Sequence, residues 1–268
     1  MKTWILLFAF FAVAANAQQE GVEVKKSRLL LLPASTVERS AGQQYQQLMR
    51  SAAQKNLLNN DPAQVARLRA IAHELIPHSQ RFNANAANWQ WEVNLIRSTS
   101  VNAFCMPGGK IAFFTGIIDQ LQLTDDEIAA IMGHEIGHAL LEHGRARMSE
   151  QVLKSLGVTV VAAFFNLGQV SGELLAQAAN LAVSLPYARR QEADADLVGL
   201  ELAARAGHDP RAAVSVWHKM AKLSQSGAKD SRGQPPQFLS THPSHQNRIR
   251  EIEANLPKVL PLYKKAGA

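Results

Sequence analysis

The sequence predicts an α+β domain that is mostly helical, with one small sheet near its middle. Most of the chain has the apolar spacing of amphipathic helices, but apolar and polar residues alternate between Trp89 and Ile96, as in a half-buried strand. The chain has 268 residues, of which 47% are hydrophobic, so it can bury a sizeable core.

The first 17 residues have the pattern of a secretory signal peptide. Lys2 provides a positive start, Trp4 to Val13 is apolar, and Ala15-Asn16-Ala17 fits a small-x-small cleavage site. The apolar run is too short for a membrane-spanning helix. We therefore expect cleavage near Ala17, a mature domain over residues 18–268 and a location outside the cytoplasm.

The charge and the cysteine content narrow the function classes. Removing the signal segment takes away only Lys2, so the net charge falls from +6 to +5. A basic protein favours anionic surfaces or acidic clients. No Arg/Lys run alternates with aromatic residues, so we expect no nucleic-acid partner. The single cysteine, Cys105, lies in an apolar run and is expected to be a buried small hydrophobe rather than a catalytic thiol.

Two predicted elements precede the centre of the chain. Residues 40–77 form the helical N-terminal part, in which Asp61 caps a second helix with Pro62 at its first position. Further on, the runs "VNAFCM" and "KIAFFTG" flank Pro107-Gly108-Gly109 and predict a hairpin.

The next helix carries the motif that points to chemistry. Thr124 and Glu127 predict a capping box, so the helix should begin near Asp125 and run to about His143, where Gly144 can end it.

Within that helix the sequence reads H-E-x-x-H. His134 and His138 lie four residues apart on one face, where both rings can reach one metal ion at about 2 Å. Glu135 lies beside them and can act as a base toward a water molecule at the metal. His143 is about 140° further round the helix, so we expect a solvated or helix-end histidine there.

A third ligand must come from elsewhere in the chain. A helix bounded by Pro186 and Gly207 carries Glu192 and Asp196 on one face. Glu192 suits a ligand, and Asp196 can accept the outer N–H of a liganding histidine. On its own, a pair of carboxylates four residues apart on a helix usually lies on a solvated face. Beside the H-E-x-x-H motif, this pair is the best candidate for completing the metal site.

Several blocks in the same order resemble the HtpX and CAAX-prenyl-protease superfamily of zinc metallopeptidases, and most closely its periplasmic LoiP/BepA-like branch. The blocks, which lie within residues 86–255, are "WQWEVNLIRSTSVNAFCMPGGKIAFFTGII", "HEIGHALLEHGRARMSE", "RRQEADADLVGLELAARAG" and "THPSHQNRIREI". The resemblance implies a glutamate-zincin metallopeptidase domain, with a catalytic core over 86–255 and the small β-sheet beside the H-E-x-x-H helix.

The resemblance also implies roles for individual residues. One zinc ion per chain would be held by His134, His138 and Glu192, with Glu135 as the catalytic base and Asp196 as a supporting carboxylate. The "HP" block matches His242-Pro243, and in BepA-like members that histidine can cap the zinc in a resting state. An equally good reading is that His242 caps the following helix. Four residues are candidates for stabilising the oxyanion of the reaction: Tyr187, His242, His245 and Arg248.

These expectations add up to a periplasmic zinc endopeptidase that degrades misfolded or unfolded proteins. The alternative is a non-catalytic zinc-binding chaperone or adaptor.

An extended polypeptide substrate would add to an edge strand at Asn102, Ala103 and Phe104, because the run from Val101 to Met106 carries no charge. The alternative interpretation is that this run is simply buried. The uncharged segment 155–172 is expected to be a core or site-covering helix, and the alternatives are contact with a membrane surface or, least favoured, a span.

Overall fold

The structure is a computed structural model that describes residues 21–25, 29–153, 188–227, 236–242 and 246–266. The expected signal segment, the segment 155–172, Tyr187 and His245 lie outside these ranges. Among the described residues, no helix combines the length and the apolar character needed to cross a bilayer.

The described chain is mostly helical, as the sequence predicts. Its helices are α1 (Ala34–Gln54), α2 (Pro62–Leu75), α3 (Thr115–Leu121), α4 (Asp125–Leu140), α5 (residues 143–153), α6 (Arg189–Arg205), α7 (Ala212–Gln225), α8 (Gln237–Thr241) and α9 (Gln246–Ala266). Two 3-10 helices, Ile76–Arg81 and Ala84–Asn88, follow α2.

The N-terminal helices are close to the prediction. The Asp61 side chain accepts a hydrogen bond from the Gln64 backbone N–H at 3.0 Å, and Pro62 occupies the first turn of α2. The helix α1 begins at Ala34, earlier than the predicted residue 40. Its buried residues recur every three or four positions from Val37 to Ala52, so the helical pattern already begins before residue 40.

The predicted hairpin is present within a sheet of three strands, β1 (Glu92–Ile96), β2 (Ala103–Met106) and β3 (Lys110–Phe114), in the order β1-β3-β2. The strands β2 and β3 are antiparallel, whereas β1 and β3 are parallel. Gly108 and Gly109 both have positive φ, 83° and 78°, which favours glycine in the turn. Among the residues that the structure describes, β2 therefore forms one edge of the sheet, and it packs against α4.

The helix α4 lies at the centre of the domain. It opens with the predicted capping box: the Glu127 backbone N–H donates to the Thr124 hydroxyl at 3.3 Å, and the Thr124 N–H donates to the Glu127 carboxylate at 2.9 Å. Every residue from Glu127 to Leu140 is buried.

Glycines let α4 and α6 pack backbone to backbone. A Cβ atom added to Gly199 would lie 2.8 Å from the backbone nitrogen of His134, and one added to Gly133 would lie 3.0 Å from the Gly199 carbonyl oxygen. Such a close approach requires residues without side chains. The contact brings Glu192 and Asp196 of α6 beside the two histidines of the H-E-x-x-H motif.

The end of α4 differs from the prediction. The helix stops at Leu140 rather than His143, and Glu142 adopts a left-handed conformation with φ 56°. A new helix, α5, starts at residue 143, so Gly144 lies in its first turn and does not end α4. The reversal at Glu142 changes the direction in which His143 projects.

Candidate metal centre

Four buried side chains converge between α4, α6 and the end of α8. His134, His138, Glu192 and His242 each offer one ligand atom, and these four atoms all lie within 4.8 Å of one another. We call this group the donor cluster. Three of its members are the residues predicted to hold the metal, and the fourth is the histidine of the "HP" block.

The geometry of the donor cluster suits a single metal ion. The Nε2 atoms of His134 and His138 lie 3.1 Å apart. The Glu192 carboxylate lies 3.7 Å from the first of these nitrogens and 3.4 Å from the second. Two imidazole nitrogens and a carboxylate oxygen form a donor set that zinc accepts, typically with a further position left for water or substrate.

Burial and neighbouring charges keep His138 neutral and Glu192 ionised, which are the forms in which these side chains bind a cation. Burial lowers the pKa of His138 well below its usual range, so this ring is neutral. Burial alone would raise the pKa of Glu192, but the neighbouring His242 and His138 outweigh it, and the pKa is lowered. For His134, burial opposes protonation while Asp196 favours it, and the net effect is a raised pKa.

Asp196 and Arg248 lie behind the donor cluster. An Asp196 carboxylate oxygen is 2.9 Å from Nδ1 of His134, the ring nitrogen that faces away from the cluster. Arg248 is bonded to Asp196 and also to Glu192. Its guanidinium group lies 3.8 Å from the centroid of the Trp217 ring. Burial would raise the pKa of Asp196, but Arg248 and His134 outweigh it, and the pKa is lowered.

Glu135 lies beside the donor cluster without belonging to it. Its side chain is buried, and its Oε1 is 3.4 Å from Nε2 of His242. Burial raises its pKa, and the nearby His242 and His134 offset this only in part. A carboxylate with a raised pKa in this position suits a group that takes up and releases a proton.

The His242 side chain is buried and lies within the donor cluster. Its Nδ1 lies 3.3 Å from Nε2 of His134 and 3.0 Å from the Glu192 carboxylate. These distances put it in reach of the same ion, which accords with one of the two readings left open by the sequence.

His143 is the residue for which the sequence-based expectation is wrong. Instead of being solvated, it is 1% exposed, and its Nδ1 lies 2.9 Å from Nδ1 of His138. The expected angle of about 140° assumed a continuous helix. The break after Leu140 and the left-handed Glu142 turn the His143 ring back toward α4.

The edge of the sheet faces this site. Asn102 accepts a hydrogen bond from the Phe114 N–H at 3.1 Å, and the register pairs Ala103 with Phe113. Because successive residues of an antiparallel strand alternate in direction, the N–H and C=O of Phe104 face β3. Those of Ala103 and Cys105 face away from β3. The Cys105 side chain is buried, and burial raises its thiol pKa well above the usual range, as expected for an unreactive cysteine.

An apolar pocket opens beside Glu135 and His242. Side chains from α1, β2, the hairpin and α5 form most of its wall. The apolar members of the lining are Ala41, Ala103, Phe104, Met106, Pro107 and Met148.

Comparisons with known proteins agree with this geometry. The sequence profile described as "Peptidase family M48" matches residues 62–256. The mitochondrial metalloendopeptidase OMA1 of Arabidopsis thaliana is 36% identical over 180 residues, covering 66% of this chain and 34% of that protein. The OMA1 metalloendopeptidase of Bos taurus is 30% identical over 247 residues, covering 88% of this chain and 46% of that protein.

A bacterial relative is also similar. The metalloprotease LoiP of Escherichia coli K12 is 29% identical over 188 residues, covering 69% of this chain and 68% of that protein. The chain spans less than half the length of the two OMA1 proteins. The profile match nonetheless includes the whole donor cluster and confirms the resemblance seen in the sequence blocks. The chain belongs to peptidase family M48.

Proposed function

We propose that this chain is a zinc-dependent endopeptidase. The observation that carries the proposal is the position of Glu135, which is buried against the donor cluster but is not part of it. A zinc site that served only stability would have no need of a base beside it. This argues against the alternative, a non-catalytic zinc-binding chaperone or adaptor.

The residues present fit zinc, with one ion per chain held by His134, His138 and Glu192. When bound, the ion supplies Lewis-acid chemistry, polarising a peptide carbonyl and making water a better nucleophile. Glu135 would take the proton of the attacking water and pass it to the leaving amine as the peptide bond breaks. Asp196, 2.9 Å from Nδ1 of His134, would hold that ring with Nε2 toward Glu192.

His242 would have a regulatory role at the same site. Its distances to the donor atoms support a resting state in which it fills a coordination position. Substrate cleavage then requires that His242 leave the cluster, or turn to face the oxyanion. Arg248 is bonded to Asp196 and Glu192, so its contacts support a positioning role better than an oxyanion role. Tyr187 and His245 remain candidates for oxyanion or substrate contact.

The substrate would be a polypeptide in an extended conformation. A peptide that adds to the edge of β2 would form hydrogen bonds with the backbone N–H and C=O of Ala103, which face away from β3. The backbone groups of the neighbouring Asn102 and Phe104 face β3 instead. Affinity then comes mainly from main-chain hydrogen bonds, so sequence preference should be broad and folded proteins should be poor substrates. The apolar pocket beside Glu135 would receive one substrate side chain.

We further propose a role in removing misfolded or unfolded proteins from the periplasm. The pattern of the first 17 residues supports export, and LoiP is a bacterial relative. A membrane-surface contact through residues 155–172 is part of this proposal, based on their uncharged sequence.

The test is the substitution Glu135→Gln, with Glu150→Gln on the exposed side of α5 as the control. Because Glu135 is a base and not a ligand, the variant should keep close to one zinc per chain by elemental analysis. It should lose cleavage of an unfolded casein-type substrate by about 10²–10⁴-fold, the usual contribution of a general base. Unchanged cleavage by Glu135→Gln would refute the mechanism. If neither the wild-type chain nor Glu135→Gln cleaved the substrate but both suppressed its aggregation, the chaperone alternative would be favoured.

A further inference from the structure

We propose that His143 is a positioning residue for His138: its Nδ1 accepts a hydrogen bond from the Nδ1–H of His138 and so fixes Nε2 of His138 toward the metal. The proposal starts from a contact between the two rings. Their Nδ1 atoms lie 2.9 Å apart, and both side chains are buried, at 1% and 2% exposure.

The protonation of the pair follows from the position of the rings. Nε2 of His138 points into the donor cluster, 3.1 Å from Nε2 of His134 and 3.4 Å from Glu192. A neutral imidazole that offers Nε2 as a ligand carries its proton on Nδ1. A buried N–H requires an acceptor. At 2.9 Å, Nδ1 of His143 can act as that acceptor only if its own proton is on Nε2.

The surroundings of His143 suit an acceptor. Its ring is 1% exposed and meets the His138 ring edge-on, with ring centroids 5.0 Å apart and an angle of 70° between the ring planes. A protonated ring would carry hydrogen on both nitrogens and could not accept. Burial of the ring favours its neutral form, which is the form that the hydrogen bond requires.

The backbone around His143 is held in place from outside the site. Arg145 donates to the Glu142 carboxylate at 2.7 Å. The same guanidinium donates to the backbone oxygens of Leu32 and Leu30, at 2.6 and 3.3 Å. Arg145 thus ties the left-handed turn at Glu142 to the segment that precedes α1, and this fixes the place from which His143 projects.

The two predicted histidine ligands therefore have different partners. Nδ1 of His134 faces a carboxylate, Asp196, whereas Nδ1 of His138 faces a neutral imidazole. Partners of this kind set ring orientation, and their loss typically costs about 10–100-fold in metal affinity.

This inference rests on the proposed metal site but not on proteolysis, so the readout is zinc affinity. The full mature chain would be titrated with zinc against a chelator. In His143→Leu the acceptor is lost, and we expect affinity to fall by about 10–100-fold. In His143→Asn a side-chain oxygen can take the place of Nδ1, and we expect most of the affinity to return. A peptidase assay that failed in every protein would leave these results unaffected.

Two outcomes would overturn the proposal. One is wild-type zinc affinity in folded His143→Leu, and the other is an equal loss in the leucine and asparagine variants. If the leucine variant does not fold, nitrogen NMR of the histidine rings in the zinc-loaded wild-type chain decides the matter. The proposal requires a proton on Nδ1 of His138 and on Nε2 of His143, and the opposite assignment would reject it.

Discussion

Arg248 holds both oxygens of the Asp196 carboxylate, donating from Nε to Oδ2 and from Nη2 to Oδ1, each at 2.7 Å. Both residues are buried. A third donor of Arg248 bonds to Glu192, a member of the donor cluster. One guanidinium group therefore contacts both the carboxylate beside His134 and the carboxylate that would bind metal, and its single positive charge offsets part of their combined negative charge.

Removing Arg248 should destabilise the metal-free protein strongly. In Arg248→Met, two buried carboxylates lose their cation, and breaking a buried ion pair in this way costs about 3–5 kcal/mol. Arg248→Lys should recover only part of the loss, because an ammonium group cannot reproduce the two-pronged contact. Urea unfolding measures both. The exposed Arg250, on the same helix, provides the control Arg250→Met, which should stay within about 0.5 kcal/mol of wild type.

The close contact of α4 and α6 gives a second prediction. In Gly199→Ala the new methyl group would meet the His134 backbone nitrogen at 2.8 Å, so the helices must separate. We expect a loss of about 1–3 kcal/mol in unfolding free energy, together with weaker zinc binding because Glu192 moves away from the histidines.

The control for this change is Gly42→Ala in the interior of α1, where an added Cβ meets nothing within 4 Å. Replacing that glycine should raise stability by about 0.5–1 kcal/mol. Equal effects at the two positions would mean that the approach of α4 to α6 does not limit the site.

Local signals account for the part of the fold that the sequence predicts. Thr124 and Glu127 mark the start of α4, Asp61 marks the start of α2, and the spacing of His134 and His138 defines one helix face. Each of these depends on residues within one or two turns of each other, and each is present in the structure.

The features that the sequence does not predict depend on contacts between residues far apart in the chain, or on a single backbone angle. The role of Arg248 depends on partners 52 and 56 residues away. The burial of His143 depends on the left-handed Glu142, and glutamate gives no local signal for that conformation. The parallel pairing of β1 with β3 is likewise a tertiary property, because the alternation of a strand does not specify its neighbour.

The apolar pocket predicts a preference among peptide substrates. Ala41 of α1 lines the pocket, so Ala41→Phe should fill it. We expect kcat/KM to fall by about tenfold or more for peptides with a large apolar residue next to the cleaved bond, and to change little for those with glycine or alanine there. Ala53→Phe, on the exposed side of the same helix, is the control and should leave both values unchanged. A uniform loss across all peptides would indicate that the pocket does not receive a substrate side chain.

The edge strand gives the last prediction, through Ala103→Pro. The Ala103 N–H faces away from β3, so proline at this position removes no bond of the sheet. It does remove a donor that an added peptide strand would use. We expect unchanged zinc content and a folded protein by circular dichroism, with cleavage of extended peptides reduced by about tenfold, since one hydrogen bond contributes about 1 kcal/mol and the ring also hinders close approach. Ala103→Gly keeps the N–H and is the matched control. If the proline enzyme is folded, loaded with zinc and cleaves peptides as fast as the glycine enzyme, substrate does not bind as a strand at this edge.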